Sequence, residues 1–161
     1  MCILCTKVDS FAQTGIFAGL GTEINANSPQ GPAVSGGLAA GLDMFNHFAL
    51  GLKAAYNTNL QTESILEPQL FIRYYFAPGF IGPFSQGDAG CAIISSGNDT
   101  HYVFTGGLQA GWRFIIAETV FLEPAMRIGY PFLFGVNLTL NIKFPIARQR
   151  AGTREQVAGS R

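Results

Sequence analysis

Two carboxylate–guanidinium sets, Glu67 with Arg73 and Glu123 with Arg127, are the side chains of this sequence best suited to chemistry. Each glutamate stands in a Leu-Glu-Pro tripeptide, and each arginine follows at an even spacing. Even spacing puts both charges on one face of a β-strand, because successive side chains alternate. Charges withdrawn from water must be paired, so the plain reading is an ion-pair network filling an interior. Charges inside a membrane also mark solute paths, and a selective, gated path for a small solute is the functional alternative. Ser95 or Ser96, Asp99 and His101 supply the residue types of a hydrolytic triad, but clustered in one polar stretch they read as turn residues. His47 and His101 fall at opposite ends of the topology derived below and cannot share a metal ion. Cys2 and Cys5 form a C-x-x-C with no second pair, which is not a zinc or redox framework. Cys91 reads as a small hydrophobe facing lipid. No phosphate loop or zinc spacing occurs, so no catalytic residue, cofactor or metal is expected, and the protein is not read as an enzyme.

What positions these charges follows from composition. Of 161 residues, 48% are hydrophobic, 20 are charged, 20 are glycine and 14 are phenylalanine. Charged residues make up about a quarter of an ordinary soluble domain and glycine about 7%, so charge is scarce here and glycine abundant. A formal net charge of zero excludes the charge-driven disorder of apolar-poor chains. A pI near 6.7 gives no basic footprint for a nucleic-acid partner. Low charge turns attention to lipid, yet no run of about 20 apolar residues exists to form a spanning helix. Gly129, Pro131, Gly135, Asn137 and Asn141 interrupt the stretch from Ile128 to Ile142. The remaining way to span a bilayer is a closed β-barrel.

Periodicity supports strands. Phe132, Phe134, Val136, Leu138, Leu140, Ile142 and Phe144 alternate with Leu133, Gly135, Asn137, Thr139, Asn141 and Lys143, the period-two pattern of a half-apolar strand. Similar alternation starts at Ile16, where Phe17, Gly19, Gly21 and Glu23 take the other face, and recurs from Val34, Phe48, Leu66, Tyr102 and Val120. A weaker strand lies at Phe84–Ser95. Connections at Asp43–His47, Ala77–Phe80 and Ile115–Thr119 are tight. Those at Asn25–Pro32, Asn57–Ser64 and Ser95–His101 are longer and rich in turn-forming residues. Strands of about 9–11 residues with alternating short and long connections describe a transmembrane barrel. The expected fold is all-β: an eight-stranded antiparallel up-and-down transmembrane β-barrel over Thr14–Phe144. Residues 1–13 are expected as a leader remnant or disordered N-terminus, and 145–161 as a basic, disordered tail.

The charges say which way the barrel is turned. Glu23, Asp43, Lys53, Glu67, Arg73, Asp88, Arg113, Glu123, Arg127 and Lys143 all fall on the polar face, five of each sign, and none between Thr14 and Phe144 falls on the apolar face. So sparse a set makes a poor solvent surface, whereas inside a narrow lumen, among small residues, it forms a polar network. A soluble ligand-binding barrel is the less favoured alternative. Phe48, Phe76, Trp112, Phe114 and Phe144 gather at the short-turn ends of strands, and Tyr56, Tyr102, Tyr130 and Phe132 at the long-loop ends. Two such belts suggest aromatic girdles at bilayer interfaces.

The segments Gly106-Gly-Leu-Gln-Ala-Gly-Trp-Arg-Phe114 and Leu122-Glu-Pro-Ala-Met-Arg-Ile-Gly-Tyr-Pro-Phe132, with a last strand ending in Phe144, resemble small bacterial outer-membrane barrels of the OmpW, OmpX and OmpA-transmembrane-domain types. The resemblance is one of pattern and covers Thr14–Phe144. It implies localisation in the bacterial outer membrane, the lipid bilayer and the barrel-assembly machinery as partners, and a monomer. Phe144 after alternating apolar residues is similar to the assembly signal of such proteins, although Leu138 stands where glycine is usual and 17 residues follow. Ser10-Phe-Ala12 before Gln13 resembles a signal-peptidase site, and the short segment before it implies more leader upstream. The implied role is passive, either membrane anchoring or passage of a small, hydrophobic solute. A surface protein that binds or adheres to a partner through its outer loops is the alternative.

Overall fold

Half-apolar strands in series leave backbone donors and acceptors at any open sheet edge, and closing the sheet removes the edge. The computed structural model, which describes residues 15–28, 31–58, 63–96, 99–131 and 133–146, is such a closed sheet. Its strands are β1 (Gly15–Ser28), β2 (Gly31–Met44), β3 (Phe48–Thr58), β4 (Glu63–Tyr75), β5 (Gly82–Ser96), β6 (Asp99–Ala117), β7 (Val120–Tyr130) and β8 (Phe134–Pro145). Each pairs antiparallel with the next, and β1 pairs with β8 from Gly15 opposite Pro145 to Ala26 opposite Phe134. Sheet order is therefore sequence order all the way round.

The connections differ from expectation. Strand runs into all three polar stretches expected as loops: β1 and β2 stay paired out to Ser28 opposite Gly31, and β5 and β6 out to Ser96 opposite Asp99. Once a neighbouring strand is in place, the ladder satisfies these backbone groups, and pairing overrides the turn preference of Asn and Ser. At the same end of the barrel, the last strand starts at Phe134, two residues later than the alternation suggests. The chain first turns through a cis Tyr130–Pro131 bond, and Gly129 N donates to Leu133 O at 3.4 Å. Phe132 lies outside the described residues. So do the segments carrying the expected leader with Cys2 and Cys5, and all of the tail after Ile146.

Parity sorts the side chains. Leu140, Leu20, Leu38, Ala54 and Pro68 form one continuous row across β8, β1, β2, β3 and β4. This row faces outward, with Leu20 and Leu38 about two-thirds exposed at 64% and 65%. The inner face carries glycine beside three of its buried rings. A Cβ at Gly41 would come within 2.7 Å of the Phe17 ring, one at Gly51 within 2.7 Å of Phe71, and one at Gly111 within 2.7 Å of Phe84. Abundant glycine is thus what lets an eight-stranded lumen hold aromatic rings.

The inner wall is lopsided. β8, β1, β2 and β3 turn small residues inward, among them Gly19, Gly21, Gly37, Ala39, Ala55 and Thr139. β4 to β7 turn in Gln69, Phe71, Arg73, Tyr75, Phe84, Arg113, Phe121 and Arg127. The interior mass therefore hangs from one side of the barrel.

Candidate functional site

Ten of the charges between Gly15 and Pro145 project into the lumen, and nine of them are buried to 9% exposure or less. Lys53 is the tenth, with its side chain 14% exposed. They settle into two layers. Towards the tight-turn end lie Asp43, Arg73, Arg113, Glu123 and Lys143. Towards the other end lie Glu23, Lys53, Glu67, Asp88 and Arg127.

The turn-end layer is organised around Glu123 on β7. Arg113 Nε donates to its Oε1, and Arg73 Nη1 donates to its Oε2 at 2.7 Å. Asp43 takes Lys143 Nζ at 2.8 Å and Arg113 Nη1 at 3.7 Å. Three cations here face two carboxylates, and aromatic rings make up the difference. The Arg73 guanidinium lies 4.2 Å from the Phe84 ring centre, that of Arg113 4.7 Å from Tyr75, and Lys143 Nζ 4.5 Å from Phe80. The negative face of a ring attracts a cation most strongly where water is excluded.

The other layer has the opposite imbalance, three carboxylates against two cations. Lys53 Nζ meets Asp88 at 3.0 Å, and Arg127 reaches Glu67 at 3.3 Å and Glu23 at 3.5 Å. Here neutral amides supply what is missing: Glu67 accepts from Asn57 Nδ2 at 2.9 Å and Gln69 Nε2 at 3.0 Å. Gln86 ties the layers together, accepting from Arg73 Nε at 2.7 Å and donating to Asp88 Oδ1 at 2.7 Å.

Glu67, Arg73, Glu123 and Arg127 therefore meet, but each arginine takes the glutamate of the other strand. The aromatic floor is the part that sequence reasoning missed. Phe17, Phe71, Tyr75, Phe80, Phe84 and Phe121 are all at most 2% exposed. Parity gave a signal for most of them, since Phe17, Phe71, Tyr75 and Phe121 alternate in step with the charges. Phe80 gave none, because it sits in a turn. The Ala77–Ile81 connection folds back with Gly79 at φ 87° and Phe80 at φ 61°. The Phe80 ring then meets Tyr75 edge-on at 5.5 Å and stoppers that end.

On the outer surface, Phe48, Phe76, Trp112, Phe114 and Phe144 project outward near the tight turns, each 40–60% exposed. Tyr74 bridges Phe48 and Phe76 at ring distances of 5.1 and 5.3 Å. Tyr56, Tyr102 and Tyr130 project outward towards the other end. Tyr56 and Tyr102 close a single ladder row through Leu66 and Ile93. Cys91 also has outward parity, opposite Phe104. His101 is exposed opposite Ile94, far from His47, whose Nδ1 lies 2.8 Å from Tyr75 O. Among the described residues, no group of His, Cys, Asp and Glu side chains could hold a metal ion.

The lumen holds a void. Against the small-residue side of the wall is a chamber of about 70 Å³, bordered by Gly21, Gly37, Ala39 and Ala55 and by the polar side chains of Glu23, Lys53, Arg127 and Asn141.

No family model matches the sequence, and no curated protein matches it. The fold does have solved counterparts. The chain is similar to Neisserial surface protein A, with a TM-score of 0.59 and 13% identity over 81% of this chain and 97% of that one. It is similar to the N-terminal β-barrel domain of Pseudomonas aeruginosa OprF, with a TM-score of 0.56 and 13% identity over 82% and 98%. It is also similar to the outer membrane protein OprG from Pseudomonas aeruginosa, with a TM-score of 0.54 and 10% identity over 83% and 97%. The chain has the fold of these small bacterial outer-membrane proteins, an eight-stranded transmembrane β-barrel.

Proposed function

We propose that this chain is an integral protein of the bacterial outer membrane whose barrel is a passive, non-conducting anchor rather than an enzyme or an open pore. The observation that carries this reading is the lumen itself. A buried aromatic floor that includes Phe17, Tyr75 and Phe80 fills the turn end of the lumen under a connected ion-pair lattice. Exposed leucine and isoleucine rows between outward aromatics support lipid contact, with the aromatics as interface girdles. In this reading the barrel-assembly machinery inserts the chain, Phe144 forms part of the assembly signal, and the folded protein is a monomer.

Refolding into detergent and into vesicles tests this directly. The folded band should shift on heating in gels, and planar bilayers should stay silent. Discrete conductance steps would favour solute passage instead, and a stable monomer without detergent would favour a soluble barrel. One observation supports a second role, binding of an extracellular partner. β6 is the longest strand at 19 residues, and its outer end exposes Thr100, His101 and Tyr102 beyond the charge layers. Loss of cell-surface binding on replacing those three would support that role.

A further inference from the structure

The chamber on the small-residue side is where the lumen keeps room and unused hydrogen-bonding capacity together. About 70 Å³ is space for roughly five waters or one compact solute. Arg127 and Asn141 border it at 2% and 1% exposure, yet Arg127 Nε and Asn141 Nδ2 donate to no atom of the described residues. On the acceptor side, Glu23 Oε1 receives no hydrogen bond and sits 3.5 Å from Arg127 Nη1. Buried polar groups without partners are uncommon and point to something that satisfies them.

We propose that this chamber binds a small neutral solute bearing both hydroxyl or amide donors and acceptors, of the size of glycerol or urea. The acceptors of such a guest face Arg127 Nε and Asn141 Nδ2, and a donor faces Glu23 Oε1. Charge decides against an ion. Both cations of this layer are already paired, Lys53 with Asp88 and Arg127 with Glu67 and Glu23. An anion would therefore bring a charge that nothing in the chamber balances, at a high desolvation cost, and a cation finds the surplus carboxylate of the layer already held, since Glu67 accepts from Asn57 and Gln69. Below, Ala49, Phe17 and Phe71 are at most 2% exposed, so exchange runs through the loop end and the solute is held rather than passed on. Size is set by the opposite wall: Ala39 and Ala55 leave the space that a larger side chain would take.

The inference rests on the membrane-barrel reading, so the experiment checks that first. The full chain is refolded in detergent and its heat-shifted band confirmed. The side-chain resonances of Asn141 and Arg127 are then followed by NMR during titration with glycerol, urea, sodium formate and tetramethylammonium chloride. Saturable shifts with glycerol or urea at millimolar midpoints are expected, and none with the two salts. Ala55→Leu should keep the heat shift and abolish the saturable shift of Arg127. Asn141→Ala should weaken the midpoint about three- to tenfold, the loss of one hydrogen bond. No saturable shift with any probe would overturn the proposal in favour of water alone, and saturation by formate or tetramethylammonium would overturn the neutral class. Saturable shifts that survive unchanged in Ala55→Leu would place binding elsewhere and overturn the site. Loss of the heat shift in the unmodified chain would instead sink the barrel reading beneath it.

Discussion

Arg73 on β4 is paired with Glu123 on β7, its Nη1 2.7 Å from Oε2, while Glu67 of its own strand goes to Arg127. The two Leu-Glu-Pro strands thus exchange arginines across the lumen, and neither strand pairs these charges without the other. Removing Glu123 leaves Arg73 buried against rings without a carboxylate, and Arg113 with only Asp43, 3.7 Å away. Glu123→Gln should cost about 3–5 kcal/mol, read as a lower urea midpoint for unfolding from vesicles. A loss below 1 kcal/mol would show that the rings, with Asp43 beside Arg113, hold these cations.

Lys53 and Asp88 allow a cleaner separation, since their 3.0 Å pair meets the Glu123 cluster only through the neutral amide of Gln86. Asp88→Leu alone strands a buried ammonium, whereas Asp88→Leu with Lys53→Met replaces the pair with apolar groups of similar size. The double variant should be more stable than the single one. Equal stabilities in the same urea assay would mean that Lys53 is solvated through the chamber.

Glycine on the inner face can be tested against glycine on the outer face. Gly51→Ala pushes a methyl group into the Phe71 ring and should destabilise by about 1–3 kcal/mol. At Gly36, on the outward face, nothing lies within 4 Å of an added Cβ, and Gly36→Ala should change stability by less than about 0.5 kcal/mol. Equal effects at the two positions would remove the link between glycine and ring packing.

Phe45 and Phe80 share a left-handed backbone, at φ 51° and 61°, with opposite surroundings. Phe45 is 82% exposed, whereas Phe80 is 1% exposed under Lys143. Phe45→Gly should be neutral or stabilising, because glycine relieves the strain. Phe80→Gly should lose about 3–5 kcal/mol of packing despite the same relief. Thermal unfolding followed by the gel shift separates the two, and a Phe80→Gly variant as stable as the parent would show that the stopper contributes nothing.

Outward leucines should respond to charge as lipid-facing groups do. Leu20 sits halfway along β1 in the row with Leu38 and Leu140. Leu20→Arg should cost about 2–4 kcal/mol for insertion into vesicles. An unchanged stability would point to water, not lipid, on that face.

Much of this architecture is legible in the residues themselves. Ile16 to Ile24 and Phe134 to Phe144 state their faces through strict alternation, and a membrane barrel has no competing use for that pattern. The ten inward charges are legible for the same reason, because parity alone assigns them. Strand ends are not: Ser28 and Ser95 have turn chemistry, and only a partner strand tells them to stay extended. Pairing within the lumen is equally hidden. Nothing local tells Arg73 to choose Glu123 over Glu67, since that choice depends on how far the strands stagger around the barrel. Phe80 is the extreme case, a turn residue whose burial depends on a lysine 63 positions away.

The seam between β1 and β8 carries a consequence for how the molecule comes into being. Gly15 finds its partner in Pro145, so the pairing that completes the sheet is also the one farthest apart along the chain. Contacts of such long range make folding slow and leave little to be gained from early segments. A chain lacking the dozen residues of β8, Phe134–Pro145, would present two raw edges, those of β1 and β7, each primed to pair with a stranger. The protein therefore has no safe half-finished state, and its order of manufacture matters: the last strand to be made is the one that shuts the door.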